Sequence, residues 1–107
     1  MTYKLIFSPQ FEEDLDNTFD YIQKNLCAPQ AAKDLMSEID KSISFAAENP
    51  YMYPLCPEPL SEYGLRKIVI KNYIAVYSVN ESAKTVNFLK LFFGRQNYLR
   101  FFTPFSN

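Results

Sequence analysis

GLRKIVIKNYIAVYSVNESAKTVNFLKLFF, residues 64–93, reads as three consecutive strands. LRKIVI, YIAVYSV and TVNFLKLFF are dense in β-branched and aromatic residues, which suit a pleated, half-buried surface. Lys71-Asn72 separates the first two, and asparagine tolerates the left-handed backbone of a two-residue hairpin turn. Asn80 to Lys84 supplies the second turn. These turns set a register: Ile70 opposite Tyr73, Ile68 opposite Ala75, Arg66 opposite Tyr77, then Ala75 opposite Leu89 and Tyr73 opposite Leu91. One face then carries Ile68, Ile70, Leu89 and Leu91. The other carries Lys67, Val69, Ile74, Val76, Phe88, Lys90 and Phe92, an apolar surface with lysines set in it.

Upstream of this sheet the period changes from two to 3.6. YKLIFS, residues 3–8, reads as a short strand, and Ser8-Pro9 is a helix-start signal, a capping hydroxyl before a proline. Phe11, Leu15, Phe19, Ile22 and Leu26 form one helical stripe, placing a helix over 9–26. Ala32, Leu35, Ile39, Ile43 and Ala46 form a second, over 30–49, widened by Met36 and Phe45 and stopped at Asn49-Pro50. A link of a few residues makes the two helices an antiparallel hairpin. Residues 50–64 hold four of the seven prolines and no period, so they read as a long loop. That loop either serves function or wraps the core with Tyr51, Met52 and Tyr53. The order β-α-α-β-β-β predicts one α+β domain over 1–107, a mainly antiparallel sheet with the helix hairpin packed on one face. The aromatic tail, 95–107, completes the core, covers the second sheet face or docks on a partner; core completion is the default.

Charge divides at about residue 64. Four lysines against eleven carboxylates leave residues 1–63 at −7, whereas seven bases against Glu81 alone leave 64–107 at +6. A basic β-rich half fits an anionic partner, either nucleic acid or an acidic protein segment. The absence of histidine excludes Ser-His-Asp and Cys-His catalysis and a histidine base. With two glycines there is no phosphate-cradling glycine loop. Cys27 and Cys56 are too few for a zinc site and read as free thiols in a chain whose start lacks a signal-peptide layout. No metal or other cofactor is expected, and no apolar run is long enough for a membrane span.

FSPQFEEDL, AAKDLMSEIDKSISFAAENPYMYP, GLRKIVIKNYIAVYSV and the closing GRQNY, taken in this order and spacing, resemble the RelE/ParE superfamily of bacterial type II toxins. The resemblance runs from Tyr3 to about Tyr98. It implies a cytoplasmic toxin of an addiction (plasmid-stabilisation) module, neutralised by a cognate antitoxin, as a homodimer or a toxin-antitoxin heterotetramer. Two arms of the superfamily differ in target. The RelE-like arm cuts mRNA on the ribosome with basic sheet residues and a C-terminal tyrosine; the ParE-like arm acts on DNA gyrase by protein contact. In the RelE-like pattern an arginine commonly follows the tyrosine that opens the middle strand, and here Ile74 follows Tyr73. That departure, the helix sequences and the mild overall acidity favour the ParE-like arm.

Chemistry can be weighed beside the resemblance. RNA cleavage through the 2′-hydroxyl needs a base, a proton donor and cationic stabilisation. Without histidine, Arg66, Arg95 and Tyr98, with Lys67, are the candidate set for a metal-independent RNA endonuclease. A contact inhibitor needs only a docking surface, for which Phe88, Phe92, Lys67, Lys90 or the tail are candidates. An antitoxin contact on Arg66, Lys67, Lys90 and Arg95 is common to both readings.

Overall fold

The computed structural model describes residues 2–58 and 60–94. Strand β1 (Lys4–Phe7) leads into helix α1 (Pro9–Asp20), a π-helical turn (Tyr21–Asn25) and helix α2 (Pro29–Glu48). A 3-10 turn (Leu60–Tyr63) precedes strands β2 (Arg66–Ile70), β3 (Tyr73–Asn80) and β4 (Thr85–Phe93). The four strands form one sheet in the order β1-β4-β3-β2, with β1 parallel to β4 and the remaining pairs antiparallel. The α+β architecture with a helix pair against one sheet face is as the sequence predicts.

Ser8 starts α1 and closes the sheet at once. Its hydroxyl oxygen accepts the Phe11 N–H at 3.0 Å, the expected cap, and its O–H donates to the Leu89 carbonyl at 2.8 Å. Pro9, whose missing N–H costs nothing at a helix start, follows it. The stripe Phe11, Leu15, Phe19 and Ile22 packs inward. The wider π turn ends that stripe one residue early, so Leu26 is exposed rather than buried. On α2, Ala32, Leu35, Ile39, Ile43 and Ala46 are all buried, and Asn49 ends the helix.

The β2–β3 register agrees with expectation at every pair: Ile70 with Tyr73, Ile68 with Ala75, Arg66 with Tyr77. The left-handed turn residue, however, is Lys71 rather than Asn72. On β4 the expectation fails. Tyr73 pairs with Phe93 and Ala75 with Leu91, two residues further along, and a bulge between Val76 and Tyr77 leaves Leu89 unmatched. An extra residue reverses the alternation beyond it. Phe88 therefore points at the helices. It is fully buried between Phe11, Phe7 and Tyr77, with ring centroids 5.3–5.9 Å away.

The second sheet face has its own small core. Cys56, Ile74, Val76 and Phe92 are buried there with Leu60 and Leu65 against them, so the proline-rich loop underlies the sheet. The loop's edge is stitched to β2 by Cys56 N–H to the Leu65 carbonyl (2.8 Å) and Lys67 N–H to the Pro54 carbonyl (3.1 Å). Of the three loop residues expected to wrap the core, only Tyr53 packs on it; Tyr51 and Met52 are exposed. Cys27 and Cys56 are not joined in a disulfide, as the sequence predicts.

Candidate functional site

Strand alternation sorts the candidate cations by face. Lys67, Val76 and Lys90 form one cross-strand row, and Val69, Ile74 and Phe92 the next, both on the face away from the helices. Two strand spacings separate the backbones of Lys67 and Lys90, roughly 10 Å. Arg66 is on the opposite, helix-facing side, because its partner Tyr77 belongs to the main core. The sheet thus brings Lys67 and Lys90 together and holds Arg66 apart from them.

Lys90 leans over the strand edge toward α1. Its ammonium donates to both oxygens of Asp14, at 3.0 and 3.2 Å, and lies 5.2 Å from the centre of the Phe92 ring. The same Asp14 carboxylate accepts the Leu91 N–H at 3.0 Å. This bond has a simple cause. β1 ends opposite Phe88, so further along β4 the outward backbone groups lack a strand partner, and α1 supplies Ser8 and Asp14 instead. Asp14 is i+3 from Phe11, on the buried stripe, and a carboxylate at such a position is the sequence signal for this clamp.

Arg66 is committed to the loop. One guanidinium nitrogen donates to the Tyr53 carbonyl at 2.6 Å and the Tyr51 carbonyl at 3.3 Å, and the group lies 5.2 Å over the Tyr51 ring. Beside it, the buried Tyr77 hydroxyl donates to the Pro50 carbonyl at 2.7 Å. Sequence reasoning also missed Glu81, the one carboxylate of the basic half. It accepts from the Tyr3 hydroxyl (2.7 Å), the Tyr51 hydroxyl (2.6 Å) and the Lys84 ammonium. The Lys84 bond, followed by those from Tyr51 and Tyr3, draws its carboxyl down to about 2.

These arrangements bear on acid-base chemistry. Hydrogen bonding to Glu81 raises the phenols of Tyr3 and Tyr51, and burial raises that of Tyr73 and pushes Tyr77 to about 12. All four hold their protons at neutral pH and so are not bases, and Tyr3, Tyr51 and Tyr77 serve as hydrogen-bond donors. Among the described residues no group of three carboxylate or thiol side chains is placed to hold a metal ion.

Two expected docking residues are corrected by the packing. Phe88 is in the main core because of the β4 bulge, and Phe92 is buried under the loop. Neither offers its ring to a partner. Arg95, Tyr98 and the tail lie outside the described residues.

Residues 5–98 match the family model described as "ParE toxin of type II toxin-antitoxin system, parDE". Among solved structures, the chain is similar to the chromosomal ParDE toxin-antitoxin system of P. aeruginosa, with a TM-score of 0.71 at 17% identity over 88% of this chain and 98% of that one. It is similar to E. coli toxin RelE, solved as an arginine mutant in the free state, with a TM-score of 0.65 at 15% identity over 94% and 92%. It is also similar to the RelBE2 toxin-antitoxin complex of Mycobacterium tuberculosis, with a TM-score of 0.63 at 14% identity over 87% and 99%. At these identities the likeness is one of fold. No curated protein sequence matches significantly.

Proposed function

The chain belongs to the ParE toxin family of type II toxin-antitoxin systems, and from that premise we propose that it arrests growth by protein contact with DNA gyrase. The observation that carries this reading is the commitment of its candidate cations. Stabilising a phosphorane requires donors held open toward the developing charge. Arg66 instead donates to the loop carbonyls of Tyr51 and Tyr53, and Lys90 to Asp14. Ile74, at the position where the nuclease pattern carries arginine, is buried beneath the loop. These features suit a rigid docking surface better than a phosphoryl-transfer centre. A ribosome-dependent mRNA endonuclease using Arg66, Arg95 and Tyr98 is the competing reading, supported by the shared fold with RelE.

A cognate antitoxin is the partner that keeps such a toxin silent, as in the ParDE and RelBE2 systems this fold resembles. An acidic, partly apolar segment complements the basic half of the chain. The proposed contact set is Lys67 and Arg95 with Lys90, whose ammonium is shared with Asp14, in the cytoplasm; Arg66, on the other sheet face and bound to the loop, is left out of it. No described helix is long and apolar enough to cross a membrane. Charge reversal at Lys67 and Arg95 weakens antitoxin binding at least tenfold; unchanged affinity removes this assignment.

Pulse labelling after induced expression without antitoxin separates the targets. Arrest of thymidine incorporation while amino-acid incorporation continues is the result expected of gyrase inhibition. Immediate arrest of protein synthesis overturns it in favour of mRNA cleavage.

A further inference from the structure

We draw no further inference here: the strongest candidate, the groove between the end of β1 and helices α1 and α2 whose walls include Phe7, Leu15, Met36, Ile39 and Ile43, carries nothing, because nothing in the structure shows what covers it.

Discussion

Arg66 and Tyr77 face each other across β2 and β3, and both donate into the same short loop, Arg66 to the carbonyls of Tyr51 and Tyr53 and Tyr77 to that of Pro50. One cross-strand pair thus satisfies three loop carbonyls and holds the proline-rich segment at the rim of the main core. Tyr77→Phe removes one buried donor and leaves the Pro50 carbonyl unpaired. We expect a loss of about 1–2 kcal/mol in urea unfolding. Arg66→Met keeps much of the stem packing but frees the loop, seen as faster proteolysis between residues 51 and 58.

Tyr77 also sets an alkaline limit. Its folded pKa, near 12, is above the ordinary 10, so the protonated phenol favours the folded state. The contribution is complete below pH 10 and is lost as pH rises from about 10 to 12, because the unfolded chain ionises first. Stability measured across that range falls in the native protein, and Tyr77→Phe reduces the fall.

Glu81 acts with the opposite sign. Its carboxyl is depressed to about 2 from 4.5, so its contribution is present above about pH 4.5 and lost as pH falls toward 2. Glu81→Gln is less stable than the native protein at pH 7, and the difference closes over that acid window. A difference independent of pH between 7 and 2 contradicts the hydrogen-bond cluster with Tyr3, Tyr51 and Lys84.

Asp14 carries two partners where Lys90 carries one carboxylate. Asp14→Ala strands both the ammonium and the Leu91 N–H and is expected to cost about 2–3 kcal/mol. Lys90→Ala costs less, about 1 kcal/mol, since Asp14 retains the backbone donor. Denaturant unfolding of both single variants and the double variant gives the coupling directly.

Phe88 tests the register. Phe88→Ala in the main core is expected to cost about 3–5 kcal/mol. Val69→Ala, on the open part of the second face, costs under about 0.5 kcal/mol. Near-equal effects would place Phe88 on the surface and return β4 to strict alternation.

How far the sequence reveals this molecule depends on what fixes each register. The two-residue connection at Lys71-Asn72 leaves one pairing for β2 and β3, and that pairing is observed. β4 has no such pin. TVNFLKLFF is apolar in both parities, so a bulge at Leu89 changes faces without breaking any pattern. One trace of it exists: Asn87 and Lys90, three apart, share the second face, and strict alternation would separate them. The candidate cations were legible as a class, but their engagement was not. Whether Arg66 reaches a loop carbonyl or Lys90 reaches α1 depends on loop path and strand length, and neither is written in local spacing.

The parallel pairing of β1 with β4 has a consequence for synthesis. Lys4 takes its place beside Thr85, so the first strand made must wait for the last. At about 5–20 residues per second that wait is roughly 4–16 s. Throughout it the opening segment has no sheet to join. The finished surface, and with it any toxic contact, exists only once β4 has been made and has taken β1 as its neighbour.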